Sequence, residues 1–246
     1  MILSNKTILI TGVGKGIGRE IFYQALKEGA FIYAITRSKK DFKNYKNLNS
    51  KIFFGNVCNL NLIKKIFKHS KKNNKKIVGI VNNAGVRFRK PFKKINQKEL
   101  LNVFNNNFFS NFQIIQEYVK YLGKDNKEHC SIVNIGSIVG KLGFSELSAY
   151  ASSKSALMGL TKSLSVELVD KKIRINIINP GFIKTSYYKN FKERKKNLYK
   201  WTLSRIPSKK WGEPKDISEF ILFLLSDKSK YFNGEDITID GGWTNS

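Results

Sequence analysis

Seven short runs of β-branched residues alternate with longer stretches of helical periodicity, and this alternation narrows the available folds more than any other feature of the chain. Thr7 to Thr11, Phe31 to Thr36, Lys51 to Phe54, Ile77 to Val81, Ser131 to Ile135, Ile173 to Ile178 and Asp236 to Ile239 read as strands. Ile17 to Glu28, Leu60 to Ser70, Gln97 to Leu122, Ala149 to Val169 and Pro214 to Leu225 read as helices between them. Consecutive strands joined through helices pair in parallel by right-handed crossovers, so the predicted fold is α/β, a doubly wound parallel sheet covered on both faces. No linker rich in Pro, Ser or Gly divides the 246 residues, which read as one domain over 1–246.

One segment breaks the rhythm. Residues 182–211 are rich in lysine and aromatics (Tyr187, Tyr188, Phe191, Tyr199, Trp201) and carry no strand pattern. An insertion after a strand's carboxyl end in this architecture covers the ligand crevice, so the segment reads as a substrate lid; the alternative is a helical excursion packed for stability.

The turn Thr11 to Gly18, TGVGKGIG, follows the first strand and opens the first helix. Gly12, Gly16 and Gly18 permit a tight turn and close approach of the backbone to a pyrophosphate, and the helix start offers unpaired amides. The second strand ends in Thr36-Arg37-Ser38, with no acid there to accept a hydrogen bond from a ribose 2′-hydroxyl. Lys15 and Arg37 offer cations to a 2′-phosphate instead, which predicts NADP(H) over NAD(H).

Tyr150 and Lys154 stand four apart, on one helical face, with Ser137 thirteen residues upstream at a strand end. A phenol has a pKa of about 10, and stabilising its anion toward neutrality takes roughly 4 kcal/mol, part of which an adjacent ammonium supplies. A serine hydroxyl beside that phenol can hold the oxygen of a carbonyl substrate. On the same helix Leu157, Leu160, Leu164 and Leu168 form an apolar stripe that seats later turns on the sheet.

The 45 basic and 18 acidic residues give a formal net charge of +27, which raises the question of a nucleic-acid partner. The lysines are scattered, often beside asparagines, without arginines and aromatics concentrated on one element, so no specific nucleic-acid surface is predicted. Two cysteines, Cys58 and Cys130, make no disulfide framework and suit a reducing cytoplasm. His69 and His129, both read as surface residues, are too few for zinc catalysis or a histidine triad, and no metal is predicted. The start MILSNKTILITG lacks a signal-peptide pattern, and no apolar stretch is long enough to span a membrane.

TGVGKGIG, Asn82-Asn83-Ala84-Gly85, Asn107, Ser137, Tyr150 with Lys154, and Asn179-Pro180-Gly181 together resemble the short-chain dehydrogenase/reductase family over essentially the whole chain. The resemblance implies a Rossmann-type sheet of seven strands in the order 3-2-1-4-5-6-7 and a catalytic tetrad of Asn107, Ser137, Tyr150 and Lys154. In that reading Tyr150 is the general acid of reduction and Lys154 lowers its pKa and binds the nicotinamide ribose. Ser137 positions the carbonyl, and Asn107 supports a proton-relaying water. The dinucleotide would meet Thr11, Gly12, Lys15, Gly16, Ile17 and Gly18 in the first turn, and Arg37, Asn56 and Val57 near the adenine. Asn83, Ala84, Gly85, Pro180, Gly181, Ile183 and Thr185 would complete its contacts, with Tyr150 and Lys154. Asn56 stands where the family often has an aspartate, and Pro180-Gly181 equally reads as a simple chain turn.

The segments RINIINPGFIKT and GEDITIDGG most resemble the 3-oxoacyl-acyl-carrier-protein reductase group, whose acidic carrier would suit this basic surface. At the two positions expected to be basic for carrier docking the chain has Glu128 and Lys171. Arg87 and Arg89, just after the Asn-Asn-Ala-Gly turn, offer a substrate carboxylate or phosphate a partner, as in members acting on sugar acids or nucleotide-linked sugars; alternatively both are solvated. A fold retained without turnover, in a nucleotide-binding or nucleic-acid-associated protein, is the remaining alternative, against which the intact tetrad speaks. By analogy the chain forms a homo-tetramer or dimer through its two long helices and its C-terminal segment.

Overall fold

The computed structural model describes residues 1–42, 45 and 47–246, with the side chains of Tyr187 and Asn190 outside the description. Seven strands form one parallel sheet: β1 (Thr7–Thr11), β2 (Phe31–Thr36), β3 (Ser50–Phe54), β4 (Ile77–Asn82), β5 (Cys130–Ile135), β6 (Ile173–Pro180) and β7 (Asp236–Ile239). Their order is β3-β2-β1-β4-β5-β6-β7, as the resemblance implies.

Central strands bury both faces, which is why they read as unbroken apolar runs: every residue of β1 and of β5 is buried. Alternate side chains then serve two separate cores. Ile8 and Ile10 face α1 (Gly16–Lys27) and α8 (Pro214–Leu225), meeting Ile21, Phe22, Ile217 and Ile221. Leu9 faces the other layer, with Ile63 and Ile66 of α2 (Leu60–Lys72) and Ile114 and Tyr118 of α4 (Ser110–Leu122). The helix starts are set by their side chains: Asn59 Oδ1 accepts from Leu62 N at 3.2 Å, and capping boxes Asn96/Glu99 and Glu213/Asp216 open α3 (Gln97–Phe104) and α8.

Two expectations change. The long helix predicted over Gln97 to Leu122 is interrupted by a π-helical turn, Asn105–Phe109, between α3 and α4. His69 is half-buried rather than on the surface, its Nδ1 hydrogen-bonded with the Tyr33 hydroxyl at 3.2 Å. α5 (Ser148–Glu167) packs on β6, and its buried face runs through Ser153, Lys154, Leu157, Met158, Thr161 and Ser165.

The segment 182–211 folds into α6 (Ser186–Arg194) and α7 (Lys196–Arg205). An aromatic core gathers under them: Tyr188, Phe191, Tyr199 and Phe182 lie with ring centroids 5.0 to 5.7 Å from Trp211. The predicted lid residue Tyr187 falls outside the described side chains. The two ends of the insertion are zipped, Lys184 N donating to Gly212 O at 2.8 Å and Gly212 N to Phe182 O at 2.9 Å.

Candidate active site

The carboxyl ends of β1 and β4 meet where the strand order reverses, the place at which open α/β sheets bind ligands. Thr11 ties the two strands together: its Oγ1 accepts from Asn83 N at 3.1 Å and from Ala84 N at 2.9 Å. Asn83 Nδ2 returns the tie by donating to Thr11 O at 3.0 Å and Gly12 O at 3.1 Å.

That interlock leaves no room for a side chain at Gly12 or Gly18. Gly12 has φ +74°, and a Cβ there would fall 2.8 Å from Ala84 Cα. On Gly18 it would fall 2.2 Å from Asn83 Nδ2 and 2.4 Å from Gly12 O. Gly16 lies under Thr185, whose Cγ2 would sit 3.1 Å from an added Cβ. Ile17 packs on the α1 side of the sheet, and the exposed Lys15 opens α1 without a side-chain cap or a first-turn acid. A helix start of this kind accommodates a phosphate anion, so the turn fits a dinucleotide.

Other residues predicted to contact the cofactor follow the carboxyl ends of neighbouring strands. Arg37 is exposed just past β2, close enough to Cys58 to oppose the rise that burial gives its thiol. Asn56 is exposed and spends its Oδ1 on Cys58 N at 3.1 Å, while Val57 is buried. Pro180 closes β6, paired with Ile239; Gly181 allows Asp240 Cβ within 2.6 Å of an added Cβ. Ile183 bridges to Gly212 at the base of the insertion.

The π-helical turn aims Asn107 inward, fully buried. Its amide clamps the strand extension after β4, Oδ1 accepting from Val86 N at 2.7 Å and Nδ2 donating to Val86 O at 3.0 Å and to Ser153 Oγ at 3.0 Å. Gly85 is thereby held close to both Asn107 and Lys154, an added Cβ lying 3.0 Å from Asn107 Oδ1 and 3.7 Å from Lys154 Nζ. Lys154 is 4% exposed and donates to Ile135 O at 2.6 Å.

Ser137 is oriented from both sides: its N–H donates to Asn179 Oδ1 at 3.1 Å, and its Oγ accepts from Val139 N at 3.2 Å. Ser137 stands close enough to the Tyr150 hydroxyl to favour its anion, and Lys154 Nζ stands 5.9 Å from the Tyr150 ring centroid. Desolvation raises the phenol pKa above its ordinary value, opposed by the Ser137 hydrogen bond and the Arg87 charge. Burial lowers Lys154 to about 8. In this geometry desolvation is the largest influence on the Tyr150 hydroxyl, while the Lys154 ammonium donates to Ile135 O.

A family model described as "Enoyl-(Acyl carrier protein) reductase" matches residues 12–244. The chain belongs to the short-chain dehydrogenase/reductase family. The 3-oxoacyl-[acyl-carrier-protein] reductase FabG of Thermotoga maritima is 34% identical over 248 residues, covering 98% of this chain and 99% of that one. Among solved structures, 4-hydroxyisoleucine dehydrogenase complexed with NADH and succinate is 28% identical with a TM-score of 0.88, covering 97% of this chain and 100% of that one. ElxO with NADP bound is likewise 28% identical with a TM-score of 0.88, covering 98% and 99%. This short-chain dehydrogenase/reductase is accordingly an NAD(P)-dependent oxidoreductase.

The two arginines of the strap after β4 differ. Arg89 Nε bonds Glu146 Oε2 at 2.8 Å, and Lys90 N donates to Glu146 O at 2.9 Å. With Val86 clamped by Asn107, the strap is pinned on both sides of Arg87, whose charge acts on Tyr150. Glu128 and Lys171 lie together through Asn126, which donates to both carbonyls, at the amino ends of β5 and β6 and away from the crevice.

Sequence reasoning missed a buried amide network that joins β4, β5 and α5 of this short-chain dehydrogenase/reductase. Asn82 Nδ2 donates to Asn134 Oδ1 at 2.9 Å, and Asn134 Nδ2 to Thr161 Oγ1 at 2.9 Å. Asn179, besides orienting Ser137, donates to Asp236. The signal was available: buried asparagines in otherwise apolar strands need partners. Among the described residues no group of three His, Cys, Asp or Glu side chains gathers to hold a metal ion, and no helix is long and apolar enough to cross a membrane.

Proposed function

We propose that the protein reduces a carbonyl to a secondary alcohol with NADP(H), preferred over NAD(H), and catalyses the reverse oxidation. The nearness of Ser137 and Lys154 to Tyr150, at the sheet end that also carries the glycine-rich turn, supports this reading. Ser137 holds the carbonyl oxygen and Tyr150 donates its proton to it; Lys154 returns a proton toward the phenolate, with Asn107 fixing the strap that shapes the pocket. A bound reduced nicotinamide supplies the hydride. Lys15 and Arg37 favour a 2′-phosphate, and residues 182–211 cover the substrate.

A 3-oxoacyl thioester on an acidic carrier protein is the substrate the curated relatives favour, and the net charge of +27 suits such a carrier. The Glu128 and Lys171 positions add no support. Arg87 beside Tyr150 favours a second class, a keto or hydroxy acid, sugar acids included, or a nucleotide-linked sugar. Succinate in the complex of 4-hydroxyisoleucine dehydrogenase shows an anion bound to a relative. A homo-oligomer would use the exposed Phe109 and Phe112 beside α4 and Val166 on α5, and the free Cys58 and Cys130 suit the cytoplasm.

NADPH oxidation against a 3-oxoacyl thioester and a panel of keto acids and keto sugars, in wild type and Arg87→Leu, decides between the classes. The thioester reading expects turnover indifferent to Arg87→Leu; turnover of acids alone, lost in that variant, replaces it with the second.

The pH profile follows from the partly buried Tyr150 and the buried Lys154. Tyr150, raised, keeps its proton at neutrality, and Lys154 loses its own above about 8. Reduction needs both protonated, so its kcat/KM is expected to be level on the acid side of that value and to fall above it, while alcohol oxidation climbs. Steady-state rates across pH check this, and a reduction rate that rises through the same region contradicts it.

A further inference from the structure

An acid missing from the end of β2 reaches the glycine-rich turn from farther along the chain. Asp41 sits in the short 3-10 turn Lys40–Phe42, and its place is built. Phe42 is buried and packs edge-on to Phe22 at 5.6 Å between ring centroids. Arg19 of α1 donates from Nη2 to Asp41 O at 3.0 Å, its guanidinium 5.8 Å from the Phe42 ring centroid. The backbone of Asp41 is thus tied to the helix that the turn opens.

The carboxylate leans over Gly14. A Cβ added to Gly14 would meet Asp41 Oδ2 at 2.9 Å and Thr36 Oγ1 at 2.9 Å, so the glycine leaves the room that the carboxylate and hydroxyl use. Lys15 is the next residue, and Arg37 follows Thr36. Two cations and one anion therefore border a single turn.

We propose that Asp41 sets the discrimination between the two dinucleotides, opposing a phosphate on the adenosine ribose and accepting a hydrogen bond from a free hydroxyl there. Lys15 and Arg37 then favour NADP(H) while Asp41 keeps NAD(H) usable. The inference rests on the glycine-rich turn being the dinucleotide site. A carboxylate near a phosphate dianion repels it, whereas a hydroxyl gives it a donor.

Binding of adenosine 2′,5′-bisphosphate and of 5′-AMP to the full-length protein, measured by calorimetry, tests this without turnover. Asp41→Asn removes the charge; Gly14→Ser forces the carboxylate out of its place, and serves where the first variant folds poorly. In both, the ratio of the two dissociation constants is expected to shift about tenfold toward the 2′-phosphorylated ligand. A ratio that stays within about twofold of wild type, or moves toward 5′-AMP, overturns the role of Asp41 while leaving the turn as a dinucleotide site. A wild-type protein that binds neither ligand overturns the dinucleotide reading of the turn and the role of Asp41 with it.

Discussion

Tyr150→Phe is expected to lower kcat/KM for carbonyl reduction by about a thousandfold, within the range of about 10²–10⁴ that a positioned general acid contributes. The substitution removes one oxygen and keeps the ring, so the packing of α5 on β6 stays as it is. The lost hydroxyl is the group whose proton desolvation retains. Affinity for reduced dinucleotide, proposed to rest on the turn between β1 and α1, is expected to remain within about twofold of wild type. Steady-state kinetics beside a fluorescence titration of NADPH separates the two quantities. A variant that keeps more than about a tenth of the wild-type rate would remove Tyr150 from the chemistry.

Gly18→Ala has the next largest expected effect, and it acts through geometry alone. The new methyl would lie 2.2 Å from Asn83 Nδ2 and 2.4 Å from Gly12 O. Neither atom can yield cheaply: one is backbone, and the other holds Thr11 O and Gly12 O. Relief means breaking the Asn83 hydrogen bonds, each worth about 1 kcal/mol, on top of an overpacking cost of about 1–3 kcal/mol. The variant is expected to lose about 3 kcal/mol of stability, seen as a fall in Tm of roughly 10 °C, and to bind dinucleotide at least about tenfold more weakly. An unchanged melting curve together with unchanged NADPH affinity would show that the β1–β4 interlock is not what shapes the turn.

Much of this was readable from residues alone, for a physical reason. Strands buried on both faces leave unbroken apolar runs, as in Thr7 to Thr11, and glycines that face a neighbouring backbone leave a spacing, as in Gly12 and Gly18. Ser137, Tyr150 and Lys154 converge because a strand end and the first turns of the following long helix meet at the crevice. What stayed hidden depends on which polar groups meet across elements. The chain does not announce that Asn82 will face Asn134 in register, nor that Phe42 will anchor Asp41 over Gly14. The π-helical turn that aims Asn107 inward is a run of three asparagines and two phenylalanines, whose low helix propensity does not by itself fix where the turn widens. Spacing places a cation one turn from Tyr150, but only the packed site shows that Lys154 is itself desolvated and bonded to Ile135 O.

The direct test of the account uses NADPH deuterated at the transferring position of the nicotinamide, with product analysed by mass spectrometry after turnover of the best carbonyl substrate. Wild type is expected to place one deuterium on the carbinol carbon for each dinucleotide oxidised, at a rate that collapses in Tyr150→Phe. Product free of deuterium, or a purified protein that oxidises neither NADPH nor NADH with any carbonyl offered, would contradict it.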